Sequence, residues 1–301
     1  MSESEIKLRI SFQGTVRIKL LDTIKVKFWG TRGSIPAPGL GTLKYGGNTA
    51  CVEVRCGEEL IIIDAGSGIV GLGTELLKDM PVKASILFSH LHWDHIQGIP
   101  FFPPAYVSGN EFKLYGSRDW DTKLEYALRR QMQSPSCPAS LEGFAAKIEY
   151  RDVIENGAVF KVGSEDQITV RSVKLDHPNI SFAFRIEYSG KNLVYASDTN
   201  NVPKPDERLV ELARGTDLLI HDAQYTNEEY YGSKNGISRE IFGHSTPEAA
   251  AKVAVAAGVK KLVLFHHDYL HDDVKIEQML QSATAIFPNT IAAREGIVME
   301  L

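Results

Sequence analysis

"SHLHWDH", residues 89–95, sets three histidines and an aspartate within the six positions from His90 to His95. The chain has nine histidines in 301 residues, and none of them precedes His90. The stretch closes an Ile- and Leu-rich apolar run, "ASILF" (84–88), so the cluster stands where a buried strand ends. On an extended segment His90 and His92 point the same way and can share one ion. The chain then turns at Trp93, and Asp94 and His95 can reach a second ion nearby. This differs from HExxH, where helical spacing puts two histidines on one metal. Imidazole suits zinc, iron and other borderline ions while carboxylate accommodates harder ones, so a mixed His/Asp set implies a transition-metal pair. Asp94 is also a candidate base toward a metal-bound water. Four such groups buried without a metal would leave costly unpaired polar atoms.

Other strands end in the same chemistry. "IKVKFWG" (24–30) and "ITVRSVKLDH" (168–177) alternate as half-buried strands do. "ELIIIDAG" (59–66), "NLVYASD" (192–198), "DLLIHD" (217–222) and "KLVLFHH" (261–267) are short apolar runs. Together these runs finish at Asp64, His90, His177, Asp198, His221-Asp222 and His266-His267. Ligands in open sheets gather beyond the carboxyl ends of strands, so the economical reading is convergence on one rim. His266 is favoured over His267 because it directly follows its strand; both stay open. Helices are expected over roughly 70–79 and in "TPEAAAKVAVAAGVKK", with Thr246 as its cap, Pro247 in its first turn and Gly258 as its stop.

The formal net charge of −5, from 33 basic and 38 acidic residues, argues against a dedicated nucleic-acid binder. "LRR" (128–130) reads as a solvated helix face. No apolar run approaches the ~20 residues of a membrane helix, and "MSESEIKLRI" lacks the apolar core of a signal peptide. Three cysteines at no framework spacing point to a reducing compartment, hence the cytoplasm. No linker divides the chain. A single domain is expected over 24–301, with 1–23 as an edge hairpin or an arm reaching a neighbouring subunit, so a homodimer stays open. The Pro-rich, irregular stretch 99–150 reads as an insertion over the site, where Phe101, Phe102, Tyr106 and Trp120 are either a stacking surface or core.

"SHLHWDH" resembles the HxHxDH signature of the metallo-β-lactamase superfamily. "DAG" at Asp64, His177, "SDT" at Asp198 and a last histidine at His266 follow in that family's order. The resemblance covers roughly 24–301. It implies an α/β fold, a four-layer αβ/βα sandwich of two facing mixed β-sheets with helices outside. It also implies that His90, His92 and His177 hold one divalent ion, that Asp94, His95 and His266 hold another, and that Asp198 bridges them. Zinc is the expected metal, with manganese and iron open. Within the superfamily, "LLIHDAQYT" (218–226) and "GHSTPEAA" (243–250) are similar to the His-Glu-Ala-Thr and Gly-His-Ser-Thr segments of the ribonuclease Z and phosphodiesterase branch, with Asp222 in place of Glu. By that analogy His244 is the proton donor, oriented by Asp222. The helix start behind it, with Ser245 and Thr246, favours an anionic substrate. "FWGTRGSIPAPG" (28–39) and "YGGNTACVEV" (45–54) resemble the branch's N-terminal loop and strand, so Arg32, Ser34, Asn48 and Thr49 either line the site or brace its loop.

Long-armed ribonuclease Z proteins insert a tRNA-grasping arm between the third histidine and the bridging aspartate. Here "ISFAFRIEYSGKNLVYAS" fills that interval and reads as a tight strand pair, so no extended arm is expected. The expected activity is hydrolysis of a small phosphodiester such as a cyclic nucleotide, or of an RNA end, by attack of a metal-bridging hydroxide. The alternatives are a carboxylic ester, thioester or lactam hydrolase on the same metals, a tRNA 3′-end endonuclease, and a non-hydrolytic iron redox protein.

Overall fold

A computed structural model describes residues 23–233 and 236–301; apart from Thr23, the expected N-terminal extension lies outside the described residues. Six strands come first: β1 (Ile24–Gly30), β2 (Cys51–Cys56), β3 (Glu59–Ile63), β4 (Lys83–Leu87), β5 (Glu111–Ser117) and β6 (Lys147–Ile154). Then follow β7 (Val159–Val162), β8 (Ile168–Lys174), β9 (Phe182–Tyr188), β10 (Lys191–Ala196), β11 (Leu218–Asp222), β12 (Leu262–Phe265), β13 (Thr290–Ala292) and β14 (Val298–Glu300). They build two seven-stranded sheets, in the orders β14-β1-β2-β3-β4-β5-β6 and β13-β12-β11-β10-β9-β8-β7. Each sheet is mixed: β3 to β6 run parallel beside an antiparallel β1–β2 pair, and β10 to β13 run parallel beside antiparallel β7 to β9. The helices are α1 (Gly68–Leu76), α2 (Trp93–Ile96), α3 (Leu124–Gln131), α4 (Glu207–Ala213), α5 (Asn227–Tyr230), α6 (Pro247–Ala257) and α7 (Asp273–Thr284).

Side-chain alternation explains the layering. Ile61 and Ile63 of β3 face Phe182, Phe184, Ile220 and Phe265 of the second sheet in one central core. Their neighbours Leu60 and Ile62 point the other way, onto α1 (Ile69, Leu72) and α3 (Leu124, Leu128). On the far side Leu219, Leu262 and Leu264 pack against Ala250, Val253 and Ala254 of α6 and Leu209 of α4. Parallel strands buried on both faces must be apolar at every position, which is why "LIII", "LLI" and "LVLF" read as continuous runs. The architecture is the expected αβ/βα sandwich.

Local rules fix the connections. The Thr246 side chain caps α6 by accepting from the Ala249 amide at 3.3 Å, and Gly258 ends the helix at φ 63°. β9 and β10 are joined by Ser189 and Gly190, both at positive φ (49° and 79°), the backbone a two-residue hairpin requires. That hairpin occupies the interval between His177 and Asp198. The 99–150 stretch departs from its reading as an insertion, because β5 and the start of β6 pair within the first sheet. Residues 99–110 and the part around α3 stand outside that sheet, the latter fastened to α2 by Gln131 Nε2 donating to the Ile96 carbonyl at 3.0 Å. Of its aromatics, Phe102 is core against Phe112, Tyr106 meets Phe144 edge-on and Trp120 packs on the α3 cluster, whereas Phe101 is exposed.

Candidate metal centre

The rim is set by strand register. Asp222 pairs with Phe265 and Ala196 with His221 across parallel β10, β11 and β12, so Asp198, Asp222 and His266 emerge at one level. Asp64 and His90 leave β3 and β4 on the facing sheet in the same way. Asp64, Asp198 and His266 have φ of 60°, 55° and 61°, a left-handed backbone uncommon outside glycine. Each such residue costs on the order of 1–3 kcal/mol and persists only where its surroundings over-determine it. Here the turn swings each side chain back over the rim. Two glycines admit the neighbours: a Cβ on Gly33 would lie 2.3 Å from the His266 ring, and one on Gly243 (φ 76°) 2.7 Å from His177 Nδ1.

His90, His92, His177 and Asp198 offer donor atoms mutually within 4.8 Å, as do Asp94, His95 and His266. Asp198 joins the two sets. Its Oδ2 lies 3.5 Å from His90 Nε2 and 3.9 Å from His177 Nε2, while its Oδ1 lies 3.1 Å from His95 Nε2 and 3.2 Å from His266 Nε2. Asp94 Oδ2 stands 3.1 Å from His266 Nε2 and accepts from the Ser34 amide at 2.7 Å. Tetrahedral donors about 2.0–2.1 Å from an ion lie roughly 3.4 Å apart. The spacing of both sets therefore fits a pair of ions. His90 Nε2 is a sharper indication, being buried with no hydrogen-bond partner. Likewise His177 Nε2 and His92 Nδ1 face each other at 3.2 Å, although Asn179 meets the other His92 nitrogen at 2.6 Å.

Four of the five rings are held from behind. His95 Nδ1 meets Asp64 Oδ2 at 2.8 Å, an aspartate that also accepts from Ser89 and the Tyr195 hydroxyl. His177 Nδ1 meets the Gly243 carbonyl at 3.0 Å, His90 Nδ1 the Ser89 hydroxyl at 3.1 Å, and His266 Nδ1 Gln224 Oε1 at 2.9 Å. Such partners orient ligating imidazoles and raise their basicity. Burial pushes His90 well below its ordinary value, with His95 adding to it, and takes His92 down to about 4. Both are thus neutral, the form a metal binds. Burial acts the same way on His95, but Asp198, Asp94 and Asp64 outweigh it and hold the ring well above its ordinary value.

His244 stands beside both sets, its ring centroid 5.3 Å from that of His177 and 5.1 Å from that of His266. Nδ1 meets Asp222 Oδ2 at 2.7 Å, which leaves Nε2 outside that bond. Burial works against the charged ring, yet Asp222 and then Asp198 outweigh it, so the pKa is raised. His267 turns away from the rim: its Nε2 meets the Ala293 carbonyl at 3.0 Å. His221 is likewise outside, held by the Asp222 carbonyl and Asn201.

The four expected substrate contacts are corrected by their hydrogen bonds. Arg32 is fully buried, and its Nε and Nη1 donate to the carbonyls of Gly46, Asp268 and His271. Asn48 is tied to Glu295 and Ser67, Ser245 donates to the Thr199 carbonyl, and Thr246 caps α6. All four are engaged within the scaffold, Arg32 and Ser245 on backbone carbonyls, Asn48 on Glu295 and Ser67, and Thr246 on an amide of the first turn of α6. Ser34 comes nearer, through its amide. The reading of the sequence passed over Gln224, Ser89 and Tyr195, whose only signal was adjacency to a strand end.

A family model described as a β-lactamase superfamily domain matches residues 60–267, and the chain belongs to that family. A ribonuclease Z from Picrophilus torridus is 25% identical, over 92% of this chain and 95% of the relative. The metallo-β-lactamase fold protein YhfI from Bacillus subtilis has the same fold, with a TM-score of 0.67 at 20% identity over 93% of this chain and 100% of that one. The short form of human tRNase Z does too, with a TM-score of 0.63 at 22% identity over 91% and 98%.

Proposed function

We propose that this β-lactamase superfamily member is a dinuclear metal-dependent hydrolase of phosphodiesters, acting on a small diester such as a cyclic nucleotide or on RNA. The observation that carries the proposal is the divided Asp198 carboxylate, one oxygen toward each set of imidazoles. Ribonuclease Z and tRNase Z among the similar proteins support the phosphodiester class.

His90, His92 and His177 would hold one ion and Asp94, His95 and His266 the other, with Asp198 spanning them. Two bound divalent cations supply Lewis acidity and lower the pKa of water toward neutrality. The nitrogen-rich donors favour zinc, with manganese and iron as the alternatives. Asp222 accepts from His244 Nδ1, fixing the ring so that Nε2 delivers its proton to the departing oxygen. General acid help of this kind is worth about 10²–10⁴-fold. The raised pKa keeps that proton in place near neutral pH. An ester or lactam hydrolase would leave the His244–Asp222 pair without a task. The buried free thiols Cys51 and Cys56 support a reducing, cytoplasmic setting. Among the described residues no helix is long and apolar enough to cross a membrane.

The test is a panel of substrates on stripped and metal-restored protein: bis(p-nitrophenyl) phosphate, a cyclic nucleotide, pre-tRNA, a lactone and a thioester. Metal-dependent turnover of a phosphodiester is expected. Turnover of the lactone or thioester alone would overturn the proposal.

A further inference from the structure

We infer that Arg239 forms an anion subsite beside the metal centre, one that takes a second phosphate of the substrate rather than the one being cleaved. The inference rests on the phosphodiesterase reading above. Arg239 belongs to the segment that runs into His244. Its guanidinium carbon stands 4.8 Å over the Tyr225 ring, and that ring meets His244 edge-on with centroids 5.6 Å apart. One aromatic layer therefore separates the guanidinium from the proton donor.

The guanidinium is positioned yet only lightly engaged. Nη1 approaches Asp268 Oδ2 at 3.3 Å, longer than the roughly 2.7–2.9 Å of a tight charge-assisted bond. That same oxygen also faces Gln224 Nε2 at 3.4 Å. Among the described residues Nε and Nη2 make no hydrogen bond, and the side chain keeps 19% of its exposure. The Tyr225 ring beneath it and Asp268 beside it limit where the guanidinium can move, a partial pre-organisation for phosphate recognition.

Electrostatics give this position a purpose. Asp94, Asp198, Asp222 and Asp268 surround the cleft, all of them buried. Bound divalent ions would offset Asp94 and Asp198, which serve as their ligands. Asp222 and Asp268 stand outside those ligand sets and would still repel a second phosphate at short range unless a cation offset them. Arg32 cannot do so, since its guanidinium is sunk among backbone carbonyls. Arg239 is the cation in place. The substrate class that uses it is a nucleotide or nucleotide chain with a phosphate next to the scissile diester, in preference to a singly charged diester.

The experiment compares kcat/KM for UpU, pUpU and UpUp on the metal-restored enzyme. Wild type is expected to prefer one phosphorylated dinucleotide over UpU by tenfold or more. Arg239→Ala is expected to abolish that preference, chiefly through KM, and Arg239→Lys to restore part of it. In parallel, calorimetry on metal-restored protein is expected to show binding of uridine 3′,5′-bisphosphate weakened at least tenfold by Arg239→Ala. The subsite is overturned if wild type turns over all three dinucleotides alike, or if Arg239→Ala lowers all three rates equally. If no dinucleotide is cleaved the phosphodiesterase reading falls instead, and the calorimetry still decides whether Arg239 binds the anion.

Discussion

The two walls of the cleft are built by opposite strategies. On the wall of the first sheet, one loop and a short helix carry His90, His92, Asp94 and His95, with Asp64 and Ser89 directly behind them. On the wall of the second sheet, His177, Asp198, Asp222, His244 and His266 come from separate segments of a long stretch of chain. The first wall is assembled by local geometry. The second depends on parallel β10, β11 and β12 keeping register, and on left-handed turns at Asp198 and His266. A fault in the first wall should therefore stay local, whereas a fault in the second should spread to both metal positions.

The largest effect is expected at the residue shared by both positions. Asp198→Ala should reduce bound metal to well below one equivalent and take diester turnover to background, as read by metal analysis and rate together. His95→Ala, on the first wall, should remove one ion and spare the other. Equal losses in the two variants would break the contrast between the walls.

Next comes His244→Ala, which should slow a diester with a poor leaving group by about 10²–10⁴-fold. Bis(p-nitrophenyl) phosphate, whose leaving group needs little protonation, should slow far less, and metal content should hold. A uniform loss on both substrates would mean that His244 only supports the scaffold.

Smaller effects sharpen the comparison further. Gln224→Ala removes the acceptor behind His266 and should weaken metal affinity by about 10–100-fold. Ser89→Ala does the same behind His90, but Asp64 still holds His95 and the Ser89 amide, so the loss should be less. Competition titration with a chelator ranks the two, and the reverse order would count against the distinction.

The smallest effect is a pH-dependent one at Glu229, which joins the cap of α5 to His271 on the loop after β12. Burial pushes this carboxyl up, but His271 and the Thr226 backbone outweigh it and bring it down to about 2 from an ordinary 4.5. Its stabilising contribution is thus complete above about pH 4.5 and is lost as pH falls toward 2. Glu229→Gln should lower the Tm at neutral pH, and the gap to wild type should close in acid. A gap that stays constant with pH would remove the charge from the explanation.

The same contrast explains what could be read without coordinates. Histidines at alternate positions behind an apolar run carry their chemistry in their spacing, so the first wall was legible. Apolar runs ending in Asp or His also marked the strands whose ends converge. His266 and His267 were not separable in that way, since one peptide's rotation decides which faces the rim, and the positive φ at His266 makes that choice. Arg32 and Asn48 misled for a similar reason: a polar residue in a rim loop can turn outward to a ligand or inward to the scaffold, as Arg32 does to carbonyls and Asn48 to Glu295 and Ser67. The stretch 99–150 hid β5 because a strand between two others is defined by its partners more than by its own pattern.

From the order of its residues alone, this chain declares short buried strands and the donor types at their ends, because periodic burial and ligand chemistry act over short spans. The sandwich of mixed sheets followed from the family resemblance that those motifs carry. The opposed oxygens of Asp198, the support of His266 by Gln224 and the seat of Arg239 on Tyr225 were decided only by folding. Each depends on angles and distances between segments that meet through strand register, which no local pattern encodes.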